Sequence, residues 1–352
     1  MRKIHTRVKL LSSLATSVFV LLLCMMMASC DYWHNDQEGC EAELRVQFVY
    51  DMNMKFADAF VHEVKTVTLH AFDSSGNLVY TKKEPAERII ADGGMNVDDL
   101  ASGVYDLQVW AEGEDRHPGS YIYKGVDGDA GVGTSHVQDF QVVVDRANQH
   151  VDHDLTPLFH GFLKNADLTA IAGQTKTVTV KLTKDTNNFK VVLQHLSGVN
   201  LNANDFDFTI TDSNGYLDYD NSLLQDEELT YPAWSKYAGQ AGVEDSDTGE
   251  KTSVSVAVAE LTTNRLVEGH NMRLHVYEHA TGKSIINIPL IDYALLVKGN
   301  YNRSMSNQEY LDRQDTYDLV FFLDEANNWL ASTIYVNSWR VVLSNSSMGT
   351  DD

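Results

Sequence analysis

Most of the chain alternates apolar and polar positions with a period of two, which is the pattern of β-strands that bury one face. The first run covers residues 44–50, and turn residues such as Asn214-Gly215 separate later runs. Helical periodicity is weak and limited to residues 291–298 and 308–314. Many short strands between turn clusters favour an all-β sandwich architecture. The other predicted strands are 64–73, 77–82, 104–111, 136–145, 175–183, 188–196, 206–211, 253–258, 271–278, 284–290, 318–323 and 333–343.

The predicted strands form two blocks, which we interpret as two tandem β-sandwich domains. The roughly 320 residues after the leader segment suit two domains of about 150 residues each. We expect the N-terminal domain to span residues 43–158 and the C-terminal domain residues 159–352, after a tether over residues 30–42. Residues 219–250 have the composition of a long polar insertion in the second domain.

The last predicted strand changes phase within its length. Trp339, Val341 and Leu343 alternate in the phase opposite to that of residues 334–336. Because a slip of one residue moves every side chain to the other face, a bulge or a turn is expected at residues 337–338.

The first 29 residues have the composition of a secretory signal. Basic residues open the chain, an apolar run covers residues 10–27, and Ala28 and Ser29 stand directly before Cys30. The segment resembles a bacterial lipobox, which implies that Cys30 becomes the lipidated first residue of the mature protein. Acyl chains such as palmitate would then hold the protein on a membrane without a spanning segment.

Two other interpretations of the leader remain open. About 18 apolar residues can form a transmembrane helix, and cleavage at another position would give a soluble secreted protein. Polar residues at positions 12, 13, 16 and 17 interrupt the run, and no basic cluster follows it. The lipoprotein interpretation is therefore favoured.

Charge and cysteine content narrow the possible partners. The formal net charge is −23, and the four basic residues of the leader leave with it, so the mature chain is more acidic still. Nucleic acid is an unsuitable partner, because binding to phosphate needs patches of Lys and Arg. Once Cys24 is removed and Cys30 is lipidated, Cys40 has no partner for an intramolecular disulfide. We interpret Cys40 as an incidental free thiol, with pairing to another chain as the alternative.

No catalytic motif occurs in the sequence, so we expect no catalytic residues, no bound metal and no cofactor. His150, His153 and His160 lie near the expected domain boundary, but no third ligand has the spacing of a zinc motif. The acidic segments 127–129 and 244–247 do not match a calcium loop and are interpreted as solvated surface.

Three aromatic residues stand out in the polar segment after residue 219. Tyr231, Trp234 and Tyr237 could form a platform for sugar rings, or they could anchor the segment to its sheet. We favour anchoring and keep the three residues as weak ligand candidates.

The combined order of several segments resembles the FimB-type fimbrial subunits of Bacteroidales, the minor or anchor subunits of type V pili. The resemblance extends over most of the mature chain, and it rests on the joint order of motifs that are individually weak. It is carried by the leader and by residues 50–53, 60–64, 67–73, 75–79, 103–111, 188–191 and 334–342.

This resemblance implies two transthyretin-like β-sandwich domains and an outer-membrane lipoprotein at the base of a fimbrium. Such a subunit anchors the fibre, limits its length and contacts the fimbrial stalk subunits. Stalk subunits of the family assemble when a protease removes an N-terminal strand and a neighbour's strand fills the groove. The physical basis of this exchange is β-augmentation, in which main-chain hydrogen bonds provide affinity.

The absence of a cleavable basic residue before the first strand bears on the type of subunit. Between Cys30 and the first strand there is no Lys or Arg, and the first basic residue is Arg45, inside the strand pattern. We therefore expect the first strand to stay in place, which suits an anchor. Contact with the fibre must then use another surface, and Trp339, Val341 and Leu343 are the candidates.

Other functions remain as alternatives. A surface lipoprotein that binds glycans or host proteins is the main rival, with residues 231–237 as its site. A fimbrial tip adhesin is possible within the same family. A hydrolase is less favoured, because catalytic groups at motif spacing are missing.

Overall fold

The computed structural model describes residues 42–125, 133–195, 200–244, 251–299, 302–337 and 339–342. These residues form mainly β-strands with four short α-helices, so the predicted all-β sandwich class is confirmed. The strands up to residue 184 are β1 (Glu43–Val49), β2 (Thr66–Phe72), β3 (Leu78–Pro85), β4 (Met95–Asn96), β5 (Gly103–Glu112), β6 (Tyr121–Tyr123), β7 (Val142–Val144), β8 (Leu158–Leu168), β9 (Thr175–Lys181) and β10 (Thr183–Lys184).

The second half of the described chain continues with eleven strands. They are β11 (Asn187–His195), β12 (Phe206–Asp212), β13 (Tyr216–Leu217), β14 (Leu229–Pro232), β15 (Ser235–Glu244), β16 (Lys251–Thr263), β17 (Arg273–Glu278), β18 (Ser284–Pro289), β19 (Thr316–Leu323), β20 (Trp329–Val336) and β21 (Trp339–Val342). The helices are α1 (Phe60–Glu63), α2 (Ala86–Asp92), α3 (Leu290–Leu296) and α4 (Asn307–Arg313), and the last two confirm the predicted helical segments.

The N-terminal sandwich packs a three-stranded sheet against a five-stranded sheet. Sheet I has the order β4-β1-β9, and sheet II has the order β10-β8-β5-β2-β3. Alternate residues of each strand point into one shared core, as the period-two pattern predicts. On the first strand these residues are Leu44, Val46 and Phe48, and on β2 they include Val67 and Leu69.

The C-terminal sandwich repeats this plan on a larger scale. Sheet III has the order β15-β16-β11-β19-β20-β21, and sheet IV has the order β14-β12-β17-β18. Their facing sides form the largest hydrophobic cluster, in which Val191, Leu193 and Phe321 are fully buried. A small sheet V, ordered β13-β7-β6, lies beside them, and its Val142 and Val144 join the same cluster.

The change from one sandwich to the other occurs later than residue 158. β8 begins at that residue and β9 and β10 follow it, yet all three pair with strands of sheets I and II. Phe159 and Val180 accordingly belong to the N-terminal core, whereas Phe189 belongs to the C-terminal core. The hydrophobic pattern marks each strand but carries no information about which sheet the strand joins, so pairing over this distance could not be predicted.

Two sequence predictions of local structure are wrong. Residues 219–250 do not form an insertion, because β14 and β15 lie within them and pair into sheets IV and III. The predicted strand over 136–145 is reduced to β7, because a 3₁₀ turn occupies Val137–Asp139. The His136 backbone donates to the Asp139 carboxylate and stabilises this turn. Local capping therefore overrides the alternating pattern there.

The predicted phase change near the C-terminus is confirmed as a turn. Asn337 has a φ of 49°, in the left-handed region that Asn tolerates well, and it joins β20 to the antiparallel β21. Its backbone N–H donates to the carbonyl of Asp318 at 2.8 Å, which holds the turn against β19.

Candidate functional site

The first strand fills the middle of sheet I and is bonded along both edges. All seven residues of β1 pair in parallel with β9. On the other side, Arg45 and Val46 pair with β4, and the Leu44 backbone N–H donates to the Asp98 carboxylate at 2.8 Å. The groove between β4 and β9 is therefore occupied by the chain's own strand.

Arg45 lies at the centre of this arrangement. Its backbone pairs with Asn96 on one side and with Thr177 on the other, and its guanidinium meets the Glu43 carboxylate at 3.2 Å. A protease binds its substrate as an extended segment with free main-chain groups, as in β-augmentation generally. The bond after Arg45 does not offer such groups in the folded protein.

The C-terminal strand lies at the edge of sheet III. Val341 pairs with Ile334 and Trp339 pairs with Val336, so β21 completes a hairpin with β20. Along its other edge, β21 has no partner strand among the described residues. An unpaired edge of this kind presents main-chain donors and acceptors to another chain. Leu343, the third candidate contact residue, lies outside the described residues.

The three aromatic ligand candidates occupy different environments. Tyr231 is fully buried, and its hydroxyl donates to Asn214 at 2.7 Å, so its ring belongs to the core. Trp234 and Tyr237 are 39% and 41% exposed. The Tyr237 hydroxyl donates to Glu260 at 3.3 Å on the outer side of sheet III. The structure thus separates Tyr231 from the other two.

Trp234 forms part of the wall of a groove of about 290 Å³. Its indole N–H donates to the Thr262 hydroxyl at 3.1 Å, and this hydroxyl donates to the Asp154 carboxylate at 2.6 Å. Arg116 joins the same network by donating to Asp154 at 3.2 Å and to Asn188 at 2.9 Å. The hydrogen-bond network that starts at its N–H group therefore holds the indole ring in position.

Two buried histidines lie on the outer side of sheet II. His70 packs against Phe140 at 4.7 Å between ring centroids, and His160 packs against Trp110 at 4.6 Å. The Nε2 atom of His160 donates to the carbonyl oxygen of Tyr219 at 2.9 Å. Burial disfavours the charged imidazolium and lowers the pKa of each histidine to about 4.

Charged groups join the two sandwiches. Buried Lys184 donates to Glu63 at 2.9 Å and to Asp315 at 2.6 Å. Arg313 of α4 donates to the carbonyl oxygen of Asp51 at 2.9 Å. Both cations thus connect the C-terminal half to the segment that follows β1.

Asp185 lies fully buried in the connection between β10 and β11. Its Oδ1 atom accepts a hydrogen bond from the Asn221 amide at 2.8 Å, and Arg265 approaches within 3.8 Å. Arg265 makes its closer bonds to Asp312, with two contacts of 2.9 Å. Burial therefore dominates at Asp185 and raises the pKa of its carboxyl to about 7.

The histidines considered for zinc do not converge. His153 stacks on His117 with 3.8 Å between ring centroids, His160 bonds Tyr219, and His150 bonds within its own turn. Across the part of the chain that the structure describes, no group of three His, Cys, Asp or Glu side chains is placed to hold a metal ion. None of the helices in that part is long and apolar enough to cross a bilayer.

Several sequence predictions fall on residues that the structure does not describe. Cys30, the leader, Cys40 and almost all of the tether precede residue 42. Segment 127–129 and most of segment 244–247 are also outside the described ranges.

The charged residues beside Trp234 could not be identified from the sequence. Lys190 pairs across strands with Glu260 on one side and with Asp318 on the other. These positions are far apart in the chain, and only the register of β16, β11 and β19 brings them together. Charged residues on the polar face of an alternating strand are common, so the sequence does not distinguish these three as site residues.

A family model described as fimbrillin-A associated anchor proteins Mfa1 and Mfa2 matches residues 37–345. No curated protein matches the chain significantly.

Three solved structures resemble the chain over most of its length. A candidate adhesin from Bacteroides thetaiotaomicron is 34% identical with a TM-score of 0.72, and the match covers 88% of this chain and 100% of that one. A candidate polysaccharide-binding protein from the same organism is 32% identical with a TM-score of 0.71, over 87% and 99%. The fimbrial anchor protein Mfa2 from Porphyromonas gingivalis shares the fold at 18% identity, with a TM-score of 0.62 over 86% and 99%.

Proposed function

Since the chain belongs to the family of fimbrillin-A associated anchor proteins, we propose that it anchors a fimbrium to the outer membrane and limits the length of the fibre. Family membership associates the chain with fimbriae at the cell surface and with other fimbrial subunits as partners. The anchoring role, the lipid and the limit on length are the parts that we propose.

The observation that carries the proposal is the position of the first strand. β1 lies between β4 and β9 and is bonded on both sides, so the central position in sheet I is already filled by the chain's own strand. A subunit that cannot accept a donor strand can bind a neighbour only through a different surface. Growth of a fibre by strand exchange would therefore end at this subunit.

In the proposed role, lipid on Cys30 attaches the protein to the membrane. The chain between Cys30 and Glu43 can span up to about 45 Å when extended, which leaves room between the membrane and the first sandwich. Two or three acyl chains bind a membrane durably, whereas a single chain binds it only marginally. The anchor would thus transmit the pull on the fibre through its folded sandwiches to the lipid.

The free edge of β21 is the surface that we assign to the stalk. A strand from the neighbouring subunit could extend sheet III beyond β21, with main-chain bonds that add affinity at every second residue. Trp339, Val341 and Leu343 remain the candidate contact residues.

A second candidate function rests on the Trp234 groove. The candidate polysaccharide-binding relative and the candidate adhesin suggest that a tip adhesin or glycan-binding lipoprotein is the alternative to an anchor. An adhesin would occur at the free end of the fibre, and an anchor at its base.

Immunogold labelling of cells that carry fimbriae separates the two functions. An antibody against the full-length protein should label the base of each fibre at the cell surface. Label at the distal end would support the adhesin and contradict the anchor. Label along the whole fibre would show that the protein is a stalk subunit.

A further inference from the structure

The groove beside Trp234 combines an exposed ring with unpaired polar groups, and we propose that it binds one neutral hexose ring of a glycan. The groove runs over β16, β11 and β19 on the outer side of sheet III. Its volume of about 290 Å³ lies just below the range of about 300–1,000 Å³ that small-molecule sites usually have. A single sugar ring is a ligand of suitable size.

The indole of Trp234 provides the apolar surface that a pyranose needs. One face of a hexose carries mainly C–H groups, and these pack on an aromatic ring. The ring is 39% exposed, although the Thr262 hydroxyl and a backbone bond to Glu260 at 3.1 Å hold it in place. Little conformational freedom is lost when a ligand packs against a ring that is already fixed.

Polar groups along the groove supply both donors and acceptors for sugar hydroxyls. The Lys190 ammonium and the Asp318 carboxylate line the groove and have no side-chain partner among the described residues. Asn188 is already held by Arg116, which fixes its amide. Vicinal hydroxyls donate and accept at the same time, so a cation and a carboxylate on neighbouring strands match them better than they match an apolar ligand.

The balance of charge in the groove selects against acidic sugars. Arg116 and Lys190 are outnumbered by Asp154, Glu260 and Asp318. Arg116 is also neutralised by its contact with Asp154 at 3.2 Å. A uronate or sulfated sugar would meet repulsion from the remaining carboxylates. A neutral hexose meets none, and it uses the same hydroxyl contacts.

This site is separate from the surface proposed for the stalk. β20 and β21 lie beyond β19 in sheet III, so the groove and the free edge are on different strands. Loss of sugar binding should therefore leave attachment of fimbriae unchanged, and the two proposals can fail independently.

Titration of the full-length protein with neutral oligosaccharides tests the site. The probes are hexaoses of mannose, glucose and galactose, with an oligogalacturonate for comparison, followed by tryptophan fluorescence and calorimetry. Sites for one ring bind weakly, so ligand concentrations reach about 10 mM. We expect a saturable fluorescence change with at least one neutral hexaose and none with the uronate.

Variants then locate the binding. Trp234→Ala should abolish the response in calorimetry, and Lys190→Ala and Asp318→Asn should each weaken binding at least about tenfold. The matched control is Tyr123→Ala, which removes an equally exposed aromatic ring on β6 and should bind as the parent does. Circular dichroism and thermal melts establish that each variant is folded. Absence of binding to all three neutral hexaoses, binding that survives Trp234→Ala, or preference for the uronate would each overturn the proposal.

Discussion

Val46 of the first strand pairs directly with Val178 of β9, in a parallel register that runs the full length of β1. Val46 is completely buried, and on its other side it pairs with Met95. The first strand is thus an integral central strand of sheet I. The hydrogen bonding within sheet I of the N-terminal sandwich therefore depends on β1.

The first prediction concerns processing at Arg45. Because the backbone at this residue is bonded on both edges, an arginine-specific protease should not cleave the Arg45–Val46 bond in the folded protein. Mass spectrometry of protein extracted from cell membranes should find a first residue at Cys30 carrying lipid, and incubation with the protease should leave β1 attached. The same protease should cut at residue 45 after denaturation in urea. Mature protein that begins at residue 46 would contradict the retained strand.

The second prediction concerns the edge of sheet III that β21 forms. Deletion of residues 338–352 removes β21, which among the described strands pairs only with β20, so we expect a folded protein that is less stable by about 1–3 kcal/mol. Cells should display this variant but release their fimbriae into the medium, as measured by surface labelling and by blotting of the two fractions. Deletion of residues 344–352 alone keeps β21 and is the matched control, which should retain fimbriae. A 338–352 variant that unfolds would show that the strand is essential to the core, and one that retains fimbriae would exclude this edge as the contact.

The third prediction follows from the two buried histidines. The pKa of each falls from 6.5 to about 4 on folding, so the stability that they contribute is present above pH 6.5 and is lost as the pH falls towards 4. Each histidine can contribute up to about 1.4 kcal/mol per pH unit in this window. In urea unfolding at pH 7, 5.5 and 4.5, His160→Gln should lose less stability with acid than the parent. His62→Gln changes an exposed histidine of α1 and should follow the parent, and equal slopes for all three proteins would exclude His160 as a cause.

The fourth prediction concerns Asp185, whose burial makes the stability fall as the pH rises, in contrast to the two histidines. Burial raises the pKa of Asp185 to about 7, so its contribution to stability is full below the unfolded pKa of 3.8 and is lost as the pH rises through 7. Asp185→Asn keeps the oxygen that accepts from Asn221 and removes the charge. We expect this variant to gain about 1–3 kcal/mol relative to the parent between pH 5 and pH 8 in urea unfolding. A loss over the same interval would show that Arg265 stabilises an ionised Asp185.

Much of the fold follows from the sequence, because side-chain burial in strands repeats every second residue. Leu44, Val46 and Phe48 are buried as the pattern predicts, and so are Phe189 and Val191 on β11. The turn at Asn337 was also predictable, since the phase of the alternation changes there. Local patterns of this kind can be interpreted without knowing which strand is the pairing partner.

What the sequence did not reveal depends on pairing between distant strands. β9 joins β1 although many residues separate them, and no feature of either strand specifies that partner. The Trp234 groove has the same origin, because Lys190, Glu260 and Asp318 become neighbours only through the register of three strands. Tyr231 was grouped with Trp234 by position in the chain, yet the pleat of β14 directs it into the core.

The most direct test of the anchor is the partition of fimbriae in cells that express Cys30→Ala. The substitution removes the proposed site of lipidation but no described contact, so the protein should fold and still bind the stalk. We predict that fimbriae carrying this protein appear in the culture medium, while a Cys40→Ala strain keeps its fimbriae on cells. Fimbriae that stay attached to cells expressing folded Cys30→Ala protein would contradict the proposal that this chain holds the fibre to the membrane.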